Sequence, residues 1–543
     1  MNGLIMDYEL NVPAILRRAE QLFGHKEIVT RRTDKSFHRY TYAELAERTK
    51  RLTLALKGLG LQEGDRVGTF AWNHYQHLEA YIGLPVAGMV THTLNLRLHP
   101  DDITYIATHA GDKALIVDKT LWPLAEKFVE RVGFEHVIVI SDDGQVPDGT
   151  IDYEELLARA DADEFEYTEI DENAAAAMCY TSGTTGQPKG VLYSHRAIAL
   201  HSLASTQSGT LGVSEADVIL PVVPMFHANA WGFPFTCTLV GATQVFPGPH
   251  LDPPSLLEAF EQEGVTITAG VPTIWMGILQ TLDAEPKRHD LSKLRAMIVG
   301  GSAAPQAMIE GFERRHGLHV THAWGMTEMA PLGTVSELSS RELALPEDER
   351  YAYRAKQGLP APFVEIRARG EDGLVPWDGA AMGELEVRGA WIASAYYEDD
   401  SQADRWTDDG WFKTGDIVTI EPNGYIEIQD RSKDLVKSGG EWISTVALEN
   451  ALMGHPAIAE AAVIAVPDEK WAERPLAVCV CREGQSATPE ELRAFLEPQF
   501  AKWWLPDHYA FVDEIPKTAV GKFRKTALRE QFSQQPAEAP ART

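Results

Sequence analysis

The chain reads as an α/β protein: a large N-terminal domain of layered α/β sheets plus a β-rich subdomain, then a small α+β C-terminal domain. Three observations predict this. Helical patterns such as "YTYAELAERTKRLTLALKGLG" alternate with β-branched runs that end in glycine or proline, such as "VTITAGVP" and "RAMIVGGSAAP". Strands alternating with helices build largely parallel sheets. From Phe363 the texture changes to short strands joined by Gly, Asp and Pro turns, as in "FVEIRARGEDGLVPWDGAAMGELEVRG". Beyond "DRSKD" the order becomes helix ("VALENALMGH"), strand ("AAVIAV"), strand ("RPLAVCVCR") and helix ("TPEELRAFLEPQF"), a separate unit of about a hundred residues.

Each stretch has a local reason. The last of those helices opens with a capping box, Thr488 and Glu491, with Pro489 at its first position. In "GVLYSHRAIALHSLAS" a short strand passes into a helix capped by Ser194. The expected boundaries are an N-terminal domain over 1–430, a hinge at 431–433 and a C-terminal domain over 434–543. The tail "SQQPAEAPART" lacks the apolar residues to pack and reads as disordered.

Bulk properties narrow the partners. With 543 residues the chain exceeds a single compact core. Its net charge of −30 argues against nucleic acid or an anionic membrane surface, so a site for an anionic ligand must be locally basic. The N-terminus has early acidic residues and no sustained apolar core, and no window approaches the ~18 apolar residues of a membrane span. Cys179, Cys237, Cys479 and Cys481 form no cluster with histidine at zinc spacing and suit a reducing compartment. A soluble cytoplasmic protein is expected.

The most telling stretch is "AMCYTSGTTGQPKGVLYSH", residues 177–195. It offers hydroxyls at Thr181, Ser182, Thr184 and Thr185 and a charge at Lys189. Gly183 and Gly186 let backbone N–H groups approach an anion closely. It lacks Walker spacing, which leaves open which phosphate it holds and for what chemistry. "YTSGTTGQPKGV" resembles the phosphate-binding motif of the adenylate-forming superfamily, which includes acyl-CoA synthetases, amino-acid adenylation domains and beetle luciferases. Further motifs follow in that family's order: "WGMTE" (324–328), "TGD" (414–416), "DRSKDLVKSGGEWIS" (430–444) and "PKTAVGKFRK" (516–525).

The resemblance implies two steps. A carboxylate attacks the α-phosphate of ATP to give acyl-AMP and pyrophosphate, and a thiol then displaces AMP. Bringing a carboxylate to a triphosphate demands positive charge at the reacting phosphorus, and Lys522 fills that role. Glu328 and Thr184 would hold Mg²⁺, which takes few protein ligands. Gly301, Ser302 and Ala303 would form the adenine-side loop with Trp324 stacking on the base, and Gly325, Met326 and Thr327 would also bind the nucleotide. Asp416 would accept the ribose hydroxyls, and Arg431 would pair with ribose or phosphate oxygens. In the family the C-terminal domain is mobile and rotates between steps. The pattern places the pivot among Asp430–Lys433, with Lys433 changing most. Rotation would bring Gly439, Gly440, Glu441 and Trp442 to CoA, and Lys437 to the second step.

The segment "PMFHANAWGFPF" (224–235) resembles the acyl pocket of fatty acyl-CoA synthetases. His227 would face the carboxylate, Trp231 would gate the acyl tunnel and Gly325 would line it. No acidic residue lies where amino-acid adenylation domains carry an aspartate, which argues against an amino-acid substrate. No carrier-protein domain follows Lys522, so free CoA is the expected acceptor. The chain resembles bacterial medium- and long-chain fatty acid–CoA ligases; ligases for 3-methylthiopropanoate share the pattern. A luciferase-like monooxygenase is a third reading and a non-catalytic nucleotide-binding regulator a fourth, which Glu328 and Lys522 argue against. The long-chain relatives pair through N-terminal residues, which points to a homodimer.

Overall fold

The computed structural model describes residues 1, 3–181, 187–438, 441–468, 470–517 and 522–532. Among these, the chain forms four sheets with helices packed between and around them. The expected α/β class is borne out.

The largest sheet has nine strands. Its middle is parallel and runs Val320–Gly325, Ala296–Val299, Ile267–Gly270, Val218–Pro221, Thr243–Phe246 and Glu27–Arg31. Antiparallel strands close both edges. A seven-stranded sheet lies beside it, parallel except for its last pair, Ala175–Tyr180 against Gly190–Ser194. The phosphate-loop sequence therefore joins two antiparallel strands of a sheet edge. A Walker loop, by contrast, joins a strand to a helix N-terminus. Ser194 caps the next helix, His195–Ser205, by accepting from Ala197 N.

One apolar core spans both sheets and the five-stranded sheet beyond them. Tyr42, Tyr81, Phe233, Phe235 and Phe246 lie fully inside; each such side chain contributes roughly 1.5–3 kcal/mol. The five-stranded sheet, built from Gly373–Leu374, Val364–Gly370, Gly383–Gly389, Phe412–Ile420 and Ile426–Arg431, is antiparallel throughout. It is the β-rich segment expected from the turn-rich sequence.

The C-terminal unit pairs Ile458–Asp468 with Ala472–Cys481, and His508–Phe511 joins the latter in parallel. Its own core includes Val463, Cys479, Leu492 and Leu505. The Thr488–Glu491 capping box forms as expected. Thr445–Met453, the first helix of this unit, packs against the last strand of the five-stranded sheet. The four cysteines are free thiols. No helix among the described residues is long and apolar enough to cross a membrane.

Candidate active site

The site gathers where strands of three sheets end. Strand Val320–Gly325 of the large sheet delivers Trp324 and Gly325, and the short 3-10 turn Thr327–Met329 delivers Glu328. Gly325 is required by space: a Cβ there would meet the Pro331 carbonyl oxygen at 1.9 Å. Glu328 is buried, and its Oε1 accepts from the Tyr396 hydroxyl at 2.7 Å. Tyr193 fixes the same turn by donating to the Thr327 carbonyl at 2.6 Å.

Asp416 comes from strand Phe412–Ile420 and is 2% exposed. One oxygen accepts from Trp324 Nε1 at 3.1 Å; the other meets Arg431 Nε at 2.6 Å. Motifs more than ninety residues apart thus share one carboxylate. Gly415, with φ of +78°, makes the turn that aims Asp416 inward.

The described ends of the phosphate loop are tied to each other. Thr181 N donates to the Lys189 carbonyl at 2.9 Å, and Lys189 N donates to Thr181 Oγ1 at 3.1 Å. The Lys189 ammonium sits 5.1 Å from the centre of the Tyr396 ring. Burial holds its pKa below the ordinary lysine value, with Arg405 and Lys433 pushing the same way and the Asp399 and Glu328 carboxylates opposing. Ser182, Gly183, Thr184 and Thr185 lie outside the described residues, as do Gly439 and Gly440.

Lys522 reaches this cleft from the C-terminal unit. Burial lowers its pKa to about 8, helped by Arg431 and opposed by Asp416 and Glu328. The same ammonium and Arg97 reinforce the burial that drops His227 to about 4. His227, Tyr180, Thr181 and Phe226 line one hollow. A cation from the C-terminal unit, the aspartate shared by Trp324 and Arg431, the buried glutamate and the acyl-segment histidine therefore share one electrostatic environment.

Behind them, residues 228–231 form an unusual turn. Ala228, Asn229, Ala230 and Trp231 all have φ between +42° and +56°. A left-handed turn costs roughly 1–2 kcal/mol per L-residue, and it is held by packing. Asn229 Oδ1 accepts from Tyr81 Oη at 3.4 Å and from Cys179 Sγ at 3.3 Å. Trp231 is only partly buried, and a Cβ on Gly300 would approach its ring to 3.1 Å. Gly301, with φ of +83°, Ser302 and Ala303 follow the neighbouring strand Ala296–Val299.

The structure does not bring every expected residue together. Lys437 is exposed, 4.0 Å from Glu371 and 5.9 Å from the Trp442 ring, among none of the cleft groups just described. Glu441 and Trp442 lie beside it on strand Glu441–Ile443. Asp430 is buried inside strand Ile426–Arg431, which Arg431 ends, whereas Ser432 and Lys433 open an exposed turn. Sequence reasoning missed Tyr396, Arg405 and Arg97. "ASAYYED" carries no spacing that marks Tyr396, and only its contact with Glu328 reveals it.

This cleft at the strand ends, entered by Lys522 of the C-terminal unit, lies in the fold of adenylate-forming enzymes. The comparisons agree. Residues 16–397 match the AMP-binding enzyme family and residues 447–522 its C-terminal domain. A long-chain-fatty-acid–CoA ligase of Thermus thermophilus is 51% identical over 97% of this chain and 96% of its own. A 3-methylmercaptopropionyl-CoA ligase of Ruegeria lacuscaerulensis is 44% identical over 98% and 99%. ATP-bound MatB from Rhodopseudomonas palustris superposes with a TM-score of 0.83 at 26% identity, over 96% of this chain and 99% of its own. The chain belongs to the AMP-binding enzyme family, in its acyl-CoA ligase branch. The luciferase-like reading is not favoured, because these relatives are CoA ligases.

Proposed function

We propose that the protein joins a fatty acid to CoA with cleavage of ATP to AMP and pyrophosphate, through an acyl-adenylate. The observation that carries this is Lys522 set among Asp416, Glu328 and His227. Asp416 and Trp324 orient the nucleoside, and Lys189 with the loop it anchors faces the leaving phosphates. Lys522 places its charge between the substrate carboxylate and the α-phosphate, where the repulsion is greatest. Among the described residues no group of three or more His, Cys, Asp or Glu could hold a metal ion, so a magnesium site would rest on one carboxylate, a hydroxyl and water. Glu328 is a buried hard-oxygen donor steadied at one oxygen by Tyr396, and with Thr184 it would hold the ion. When bound, magnesium supplies neutralising charge to the phosphates while keeping most of its water.

The second step belongs to a rotated arrangement. The segment 431–433 is the pivot, and rotation carries Lys522 out and Lys437, Gly439, Gly440, Glu441 and Trp442 in toward CoA. The N-terminal arm leaves Leu4, Ile5 and Met6 about nine-tenths exposed, which supports a homodimer that covers them. The free thiols fit a cytoplasmic setting.

The fatty-acid reading is supported by the 51% identity to the Thermus long-chain-fatty-acid–CoA ligase. The Ruegeria relative supports a second reading, a short thioether acid. CoA-dependent AMP release, measured from propanoate to palmitate with 3-methylthiopropanoate included, separates them. Turnover that rises with chain length supports the first reading. A sharp maximum at 3-methylthiopropanoate supports the second, and no turnover with any of these acids overturns both.

A further inference from the structure

At Lys525, three residues after Lys522, lies a buried polar cluster that the proposed chemistry does not use. Asp430, 1% exposed, stands in the strand that also forms the floor of the nucleoside site: Arg431, the next residue, pairs in register with Asp416. Asp430 Oδ2 accepts from Thr445 N at 3.0 Å and also from the Thr445 hydroxyl. Its other oxygen accepts from Arg431 N at 2.8 Å and lies 4.0 Å from the Lys525 ammonium. Lys525 in turn meets Glu449 Oε1 at 2.7 Å and donates to Thr445 Oγ1 at 2.5 Å. Glu449 is itself nearly buried and accepts from Val463 N at 2.7 Å. Next to this, the Ser444 hydroxyl donates to the Gln429 carbonyl.

The membership of these residues matters. Gln429, Asp430 and Arg431 are part of the five-stranded sheet and precede the exposed turn that begins at Ser432. Ser444, Thr445, Glu449 and Lys525 belong to the C-terminal unit, and Lys525 opens the helix that begins three residues after Lys522. The Thr445 hydroxyl has one proton to give and lone pairs to receive with. It therefore links Asp430 to Lys525 in a single chain of contacts. That chain spans the proposed pivot and ends at the base of the loop that carries Lys522. A buried charge pair is costly to break from one side, because the partner left behind stays desolvated. Rotation at Lys433 would turn Thr445 and Lys525 away from Asp430.

We propose that Asp430 is a positioning residue, a latch that through Thr445 and Lys525 holds Lys522 in the adenylating arrangement and lets go for the thioester step. This rests on the two-step reading given above. It predicts that the latch favours one half-reaction alone.

The test compares both half-reactions in wild type and Asp430→Asn, which keeps an acceptor for Thr445 but loses the charge facing Lys525. One assay is acid-dependent ATP–pyrophosphate exchange without CoA; the other is thioester formation from supplied acyl-adenylate and CoA. Wild-type rates alone judge the ligase reading, and only the ratio of the variant's two losses judges the latch. A coupling of ordinary size between two conformations is about tenfold, so exchange should fall about tenfold while thioester formation stays near wild type. A ratio of losses of about fivefold or more, the low end of such couplings, supports the latch; any smaller ratio, including no loss in either assay, overturns it. If Asp430→Asn does not fold, Thr445→Val removes the linking hydroxyl and is held to the same ratio.

Discussion

The indole nitrogen of Trp324 donates to Asp416 at 3.1 Å, and Arg431 occupies the other oxygen of that carboxylate at 2.6 Å. Both partners restrict where the Asp416 oxygens point before nucleotide arrives. Trp324→Phe keeps an aromatic face and deletes the donor. A neutral hydrogen bond contributes about 0.5–1.5 kcal/mol, so kcat/KM for ATP should fall only severalfold. Asp416→Asn strips the charge facing Arg431, and charged hydrogen bonds contribute about 1.5–3 kcal/mol. Its loss in kcat/KM for ATP should be the larger, about ten- to a hundredfold. Steady-state AMP release against ATP concentration checks the order, and a larger loss for Trp324→Phe would contradict it.

Tyr396→Phe preserves the ring beneath Lys189 and removes the proton given to Glu328. A buried carboxylate that loses its donor costs about 1–3 kcal/mol. The variant should need severalfold more magnesium for half-maximal adenylation, with the acid's KM little changed. A magnesium titration at fixed ATP reads this directly. An unchanged requirement would remove Tyr396 from the site.

In the proposed mechanism Lys522 acts as a cation, and its pKa is lowered to about 8 by burial, then by Arg431. The charged form is present below that value and is lost above it. The kcat/KM of the adenylation half-reaction, which reports the free enzyme, should therefore decline as pH rises through about 8. Lys522→Arg should carry the plateau further into alkali, because guanidinium stays protonated. A decline near the same pH in that variant would assign it to another group. Lys522→Ala should lose about two to three powers of ten in exchange, yet still form thioester from supplied acyl-adenylate.

Much of the site was legible in the sequence because its motifs are contiguous. "WGMTE" and "TGD" needed only the fold to bring Trp324 and Asp416 into contact. The strand-and-helix alternation predicted the sheets for the same reason, since each element carries its own period and caps. What stayed hidden depends on contacts between distant segments. Tyr396 matters only because of Glu328, and Asp430 only because Thr445 and Lys525 meet it. The left-handed run at 228–231 could not be read, because alanine and tryptophan have no preference for positive φ; packing imposes it. Lys437 was expected at the chemistry and stands by Glu371 instead.

The central claim is that the acid's own oxygen attacks the α-phosphorus of ATP. Single turnover with a carboxylic acid labelled with ¹⁸O at both oxygens, followed by transfer to CoA, tests it most directly. The account predicts one ¹⁸O atom in each AMP and none in pyrophosphate, because CoA sulfur attacks the acyl carbon and the bridging oxygen leaves on AMP. Label in pyrophosphate or inorganic phosphate, or AMP without label, would contradict it.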